Sequence, residues 1–306
     1  MAFLASWRPK KVTSRLPDGQ NPVTAPTAEI DAALRDAGIR ARHIALVSPM
    51  GEAKGRRLAY RVEDEAGRVV KLRQFENEAA ARAVFDLRVG LEPAFAPALR
   101  RHGCVIVEKW IEGRALEADE AAARSHEAGA LLGRLHAQPL PTGAAATART
   151  APWREGVEAD LAMLDAAAVL PSEIVARLLR DVRLADPGSA PAARIHLDFC
   201  ADNMILDAQG ALTVIDNEQL TVDSAALDLA RTFCHWPMPH PAWERFGAGY
   251  RSAAPAVPRA AAFWRIVAAA LGARVYLQRS APLLERPLGI LRRCATGARP
   301  ADWLDR

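Results

Sequence analysis

Apolar and polar positions alternate in short runs up to about residue 110, then recur at helical spacing. Three runs read as strands: His43 to Pro49, Leu58 to Glu63, and Arg68 to Leu72. The turn segment GEAKG joins the first two, and DEAG closes the second pair as a hairpin. Ahead of them, Thr27-Ala-Glu-Ile caps a short helix that runs through Ala37 and ends at Gly38. From Phe75 to Leu87 the text FENEAAARAVFDL has a helical period, with Phe75, Ala79, Val84 and Leu87 as its buried face. Cys104 to Trp110 (CVIVEKW) is a further strand leading into IEGRAL.

Past that point the pattern is mostly helical. Leu116 to Ala137 reads as one long helix, Pro139 to Pro152 as a Pro/Ala/Thr-rich loop, and Val157 to Leu184 as two helices. Two strand-like runs follow, and helices return from Ala225 to the end. The pattern predicts an α+β protein of two lobes. Residues 28–107 form a small lobe with an antiparallel sheet and one main helix, and residues 108–306 form a larger helical lobe. Residues 1–27, basic and carrying Pro9, Pro17, Pro22 and Pro26, read as a flexible tail.

Composition narrows the class. At 306 residues, 50% apolar and 25% charged, the chain is globular and long enough for two cores. No run of about 18 apolar residues predicts a membrane span, and MAFLASWRPKK is too short in apolar content for a secretory signal. Cys104, Cys200, Cys234 and Cys294 are scattered without a CxxC pair, which suggests neither a disulfide framework nor structural zinc. The expectation is a reduced, cytoplasmic protein. The formal charge is +4, but only Lys10, Lys11, Lys54, Lys71 and Lys109 are lysine, so the basic count is mostly arginine. The arginines are dispersed and lack aromatic interleaving, so a nucleic-acid platform is not expected. In such a chain, a lysine inside an apolar strand, as Lys71 is, points to chemistry.

Two stretches raise a chemical question: Arg194 to Leu206, RIHLDFCADNMIL, and Leu212 to Leu220, LTVIDNEQL. Asp198, Asp202, Asn203, Asp216 and Glu218 stand in or beside apolar runs, where burial makes charge costly. A cation would justify them. Folded as a hairpin, the strands NMIL and TVI bring Asn203 and Asp216 to the same end. Mg²⁺ takes hard oxygen ligands and keeps several waters, so two side chains and phosphates suffice. Asp198 is then free to orient or deprotonate a hydroxyl.

HLDFCADN followed by VIDNE resembles the paired HxDxxxxN and hydrophobic-hydrophobic-D-x-E motifs of the aminoglycoside phosphotransferase and choline kinase family, which has the protein-kinase-like fold. The resemblance runs from about Ile44 to Arg231. VVKL supplies a third-strand lysine and ENEAAARAVFDL a helix glutamate. VIVEKWIEGRAL resembles the hinge, LLGRLHA the long helix of the second lobe, and LDLART the helix after the metal motif. The resemblance implies a bilobal kinase-like fold and transfer of the γ-phosphoryl of ATP or GTP to a small-molecule hydroxyl. It implies Asp198 as catalytic base, Asn203 and Asp216 as Mg²⁺ ligands, and Lys71 on the nucleotide phosphates. Glu78 is the expected partner of Lys71, with Glu76 as the alternative, and the backbone of Val107 to Lys109 is expected at the adenine edge. His196 braces the catalytic loop and Asp228 anchors its backbone. Glu218 is either a supporting contact or a strand-end charge.

The chain also departs from the family. Phe199 beside the base is expected to narrow the acceptor pocket, Asp202 adds a carboxylate, and MGEAKG with Gly51 and Gly55 is a poor glycine loop. His136 fits core packing. The set Cys234, His235 and His240 lies in an aromatic, proline-rich stretch and does not read as a metal site. Trp236, Trp243, Phe246 and Trp264 could stack on a sugar, with core packing as the default. Residues 229–306 carry twelve arginines against Glu244, Glu285, Asp302 and Asp305. If they face the groove, this favours a neutral or anionic acceptor such as a sugar or sugar phosphate. An idle nucleotide-binding scaffold of the same fold is the alternative.

Overall fold

The computed structural model describes residues 28–47, 57–254, 256, 261–279 and 281–297. The predicted tail, the segment with Gly51 and Gly55, and Arg259, Arg299, Arg306, Asp302 and Asp305 lie outside them. The chain forms two compact units, Met1–Glu117 with Asp202–Thr221, and Ala118–Ala201 with Val222–Arg306. The hairpin carrying Asn203 and Asp216 therefore belongs to the first unit, whereas the pattern had placed it in the second lobe.

The first unit is built on a five-stranded antiparallel sheet. Its strands are β1 (Ala41–Leu46), β2 (Arg57–Asp64), β3 (Val69–Phe75), β4 (Ala98–His102) and β5 (Val105–Lys109), in the order β1-β2-β3-β5-β4. Period-two alternation divides its side chains between two faces. Val62, Leu72, Val105 and Val107 pack with Ile30 and Leu34 of helix α1 (Ala28–Asp36). Phe75 and Ile106 pack with Ala81 and Val84 of helix α2 (Glu78–Arg88). Helix α2 starts later than the pattern suggested. Asn77 caps it by accepting from Ala80 N at 2.9 Å, Phe75 stays on its strand, and Ala79 is exposed.

A second sheet of this unit joins β6 (Arg114–Ala115), β9 (Met204–Leu206) and β10 (Leu212–Val214) in the order β10-β9-β6. Gly113 has φ +146°, and a Cβ there would stand 2.4 Å from Leu206 O, so only glycine fits this crossing.

The second unit is mostly helical: α3 (Ala118–Ala123), α4 (Ser125–Ala137), α5 (Ala151–Ala166), α6 (Ser172–Ala185), α7 (Ala225–His235), α8 (His240–Ala253), α9 (Ala261–Arg279) and α10 (Glu285–Thr296). A short sheet joins β7 (Thr147–Arg149), β8 (Ser189–Ile195) and β11 (Thr221–Ser224) in the order β11-β8-β7. The single long helix predicted from Leu116 is broken at Arg124, which has φ −90° and ψ 10°. Helices α4 and α8 touch backbone to backbone: a Cβ on Gly129 would stand 2.0 Å from Phe246 O, and one on Gly249 1.9 Å from His126 O. The main core gathers Leu161, Leu178, Leu227, Trp264, Val267 and Leu291. Trp236, Trp243, Phe246 and Trp264 are all buried, so the packing reading of these aromatics is the correct one. No helix among the described residues is long and apolar enough to cross a membrane.

Candidate active site

Each unit carries one constellation. In the first, β3 presents Lys71 and Arg73 on the same face, two residues apart. Lys71 stands opposite Glu108 in the β3–β5 register, with Nζ 3.9 Å from Glu108 Oε2 and 2.5 Å from Asp216 Oδ1. Arg73 Nη2 donates to the same Asp216 oxygen at 2.7 Å, and Nη1 to Glu218 Oε1 at 3.1 Å. Arg88, at the far end of α2, donates to Glu108 Oε1 at 2.6 Å.

Local structure aims Asp216 at this cluster. After β10 the residue enters the left-handed region at φ 58°, ψ 44°, which aspartate tolerates better than most side chains. Asn203 O accepts from Ile215 N at 2.9 Å, so Asn203 and Asp216 do sit at the same end of the hairpin.

The electrostatics sort these acids. Burial alone would raise the Asp216 carboxyl, but Lys71 and Arg73 hold it well below the usual carboxylate range. Burial would also raise Glu108, and Arg88, Lys71 and Arg73 reverse it. Glu218 goes the other way. Burial, with the adjacent charge of Asp216, pushes it up to about 7 against the pull of Arg73.

Glu78 does not hold Lys71. It begins α2 at the exposed end, where its carboxylate bonds Arg82 at 2.9 Å and Arg101 at 3.1 Å. The buried face of α2 instead delivers Arg88, so the acid beside Lys71 comes from β5 as Glu108. Val107 lies in the ladder between β3 and β4, and Lys109 N donates to Pro97 O at 3.0 Å. The Lys109 amide is therefore engaged within the sheet. Arg73 was not singled out from the sequence. The alternation that puts Lys71 and Phe75 on one face of VVKLRQF also puts Arg73 there.

In the second unit, β8 ends at Ile195 and the chain turns sharply. Leu197 has φ 65°, a costly conformation for a side chain of its size. Asp228, fully buried on α7, fastens this turn by accepting from His196 N and from Leu197 N, both at 2.7 Å. Arg231, one helical turn on, donates to Leu197 O at 2.6 Å. His136 Nε2 stands 3.1 Å from Asp228, and its Nδ1 stands 2.8 Å from the Tyr250 hydroxyl. His136 is thus a core residue tied to the turn. His196 accepts from Asp198 N at 3.2 Å through Nδ1, a bracing contact.

Asp198 follows the turn. Burial would raise its carboxyl, but His235, His196 and Arg231 bring it down to about 2, so it is ionised at neutral pH. Phe199 does not narrow a pocket. It is buried edge-on against His196 and Phe246, with ring centroids at 5.9 and 6.3 Å.

Residues 58–264 match the model of a phosphotransferase enzyme family. The chain belongs to that family. It is a phosphotransferase acting on hydroxyl groups, with the family's α+β bilobal kinase-like fold. No curated protein matches the chain in sequence. Among solved structures, a type I macrolide 2′-phosphotransferase is 16% identical at TM-score 0.61, over 93% of this chain and all (100%) of that one. Choline kinase LicA from Streptococcus pneumoniae is 15% identical at TM-score 0.62, over 86% of this chain and 97% of that one. An amicoumacin kinase solved with AMP-PNP, Ca²⁺ and Ami is 13% identical at TM-score 0.61, over 90% of this chain and 96% of that one.

Proposed function

We propose that this phosphotransferase moves the γ-phosphoryl of ATP or GTP to a hydroxyl of a small acceptor, with Asp198 as the group that orients and deprotonates it. The observation that carries this reading is the clamp on Leu197. A residue held at positive φ by Asp228 and Arg231 fixes the backbone next to an ionised Asp198. Strain of this kind is retained where geometry matters to chemistry.

Lys71, with Arg73 beside it, is assigned to the nucleotide phosphates, and Glu108 replaces Glu78 as the acid that steadies Lys71. The adenine edge is assigned to the backbone of residues 110–112. Asn203 and Asp216 would hold Mg²⁺, and their oxygen donors at one hairpin end suit a hard cation. Bound there, the metal supplies charge neutralisation on the phosphates. The amicoumacin kinase, of the same fold, was solved with a nucleotide analogue and a divalent cation, which supports use of both ligand classes here. Glu218 is assigned a supporting role beside Asp216.

The proposed acceptor is neutral or anionic, such as a sugar or sugar phosphate. The arginine surplus does not carry this. Arg231, Arg245 and Arg286 bond internal carbonyls, while Arg274 and Arg292 pair with Asp160 and Glu285. What supports it is the neighbourhood of Asp198, where the guanidinium of Arg231 sets a positive field. The reading places the protein in the cytoplasm, where nucleoside triphosphates are abundant.

The test is thermal shift and nucleotide hydrolysis with Mg·ATP and Mg·GTP, wild type beside Asp198→Asn. Both proteins should gain stability with one nucleotide, and hydrolysis should fall roughly 10²–10⁴-fold in the variant. No stabilisation by either nucleotide sinks the reading. Stabilisation without turnover in either protein favours an idle scaffold.

A further inference from the structure

His235 is the one histidine of the Cys234-His235 pair that the function above leaves without a task. It ends α7, one turn after Arg231, and its Nδ1 stands 3.6 Å from Asp198 Oδ1. Its place is built rather than incidental. Arg286 on α10 ties the end of α7 by donating to Phe233 O at 2.7 Å, Cys234 O at 2.8 Å and Trp236 O at 3.3 Å. Tyr276 on α9 lies against the imidazole, ring centroids 6.3 Å apart. On the far side of the ring, Nε2 is 3.9 Å from the point where a Cβ on Gly272 would stand, an ordinary packing distance.

We propose that His235 is a positioning residue for Asp198: its Nδ1–H holds Oδ1 and so sets the orientation in which the carboxylate meets the acceptor hydroxyl. This rests on the reading of Asp198 as the base. In the transfer, the acceptor O–H bond breaks as its oxygen bonds the γ-phosphorus. The proton goes to the Asp198 carboxylate, and the electron pair of the cleaved phosphoanhydride leaves with the nucleoside diphosphate. A separation of 3.6 Å is long for a hydrogen bond, and such contacts tighten when substrate is bound.

The arrangement also makes the base sensitive to acid. Among the described residues, the charged and titratable groups facing the ring are Asp198, Arg231 on α7, Tyr276 on α9 and Arg286 on α10. Burial pushes the imidazolium below its usual 6.5; Asp198 opposes this, and Arg231 and Arg286 add to it. His235 is therefore neutral at pH 7. Below its lowered pKa it becomes a cation against Asp198, and a paired carboxylate accepts a proton less readily.

Two measurements on the full chain test the proposal. The first is the side-chain ¹⁵N titration of His235 in wild type and Asp198→Asn. Loss of the carboxylate charge should move the His235 midpoint down by about 1 unit and abolish the preference for the Nδ1–H tautomer. An unchanged titration overturns the proposal, whatever the enzyme's activity. The second is Mg·ATP hydrolysis against pH in His235→Leu and His235→Asn. The leucine variant should lose about tenfold in kcat with nucleotide KM unchanged, and asparagine, which keeps an N–H donor, should recover most of it. Both should lose the acid limb set by His235. Equal losses in the two variants, or none in either, would also overturn it. Wild-type hydrolysis too slow to measure, alongside a shifted titration, would count against the proposed function and leave the Asp198–His235 coupling standing.

Discussion

Arg73 Nη2 and Lys71 Nζ converge on one oxygen of Asp216, at 2.7 and 2.5 Å, while the other arm of Arg73 reaches Glu218. Two cations and two acids thus share a half-buried corner of the first unit. Removing a partner from such a pair leaves an uncompensated charge, at a cost of about 3–5 kcal/mol. Arg73→Met should therefore lose stability of that order in metal-free buffer. Added Mg²⁺ should return part of it, because a cation can replace the missing guanidinium between the carboxylates. Thermal unfolding with and without Mg²⁺ reads this, and an equal loss under both conditions contradicts it.

Glu108 should behave as an acid-sensitive stabiliser. Its folded pKa is held below the ordinary 4.5, so its contribution is present above that value and is lost as pH falls through the folded pKa. Glu108→Gln should cost about 3–5 kcal/mol at pH 7. The gap to wild type should then close below about pH 4.5. Urea melts at several pH values measure it; a gap independent of pH would sink this role.

Asp228→Asn separates the clamp from the nucleotide site. The carboxylate receives His196 N, Leu197 N and His136, and an amide offers one acceptor oxygen in place of two. Each lost bond to a charged group is worth about 1.5–3 kcal/mol. Stability and hydrolysis should both fall. Mg·nucleotide affinity by calorimetry should hold, since Lys71 and Asp216 belong to the other unit.

Two glycines should respond oppositely to alanine. Gly129 has no space, with Phe246 O 2.0 Å from a new Cβ, and overpacking against backbone should cost about 1–3 kcal/mol or more. Gly156, inside α5, would meet nothing within 4 Å, and alanine there should gain about 0.5–1 kcal/mol. Chemical denaturation of the two variants distinguishes them.

The strands β2, β3 and β5 and the motif acids were legible because alternation and charge in apolar runs are local properties of the text. Strand β4 was not. Ala98–His102 reads ALRRH, with Leu99 exposed at the sheet's edge, so it shows no buried alternation. Glu78 misled for a related reason: the start of α2 is set by the Asn77 cap, and three residues of error turn a glutamate from the sheet to solvent. The partnership of Lys71 with Glu108 depends on β3–β5 register, which no single strand's sequence reveals. His235 was visible only as a member of an unpromising Cys-His pair, because its closeness to Asp198 is made by α7 folding back beside β8.

The return of Asp202–Thr221 to the first unit has a consequence for biosynthesis. When Glu117 leaves the ribosome, β6 has no partner, because β9 and β10 lie beyond the whole of Ala118–Ala201, 84 residues (201 − 118 + 1). Val214, the end of β10, is 97 residues past Glu117 (214 − 117), so at about 5–20 residues per second translation needs roughly 5–19 s to supply both strands. During that interval the nascent chain exposes an unsatisfied strand, and Lys71 and Arg73 wait without Asp216. A ribosome stalled just short of Asp202 should hold the five-stranded sheet folded while its charged corner stays open.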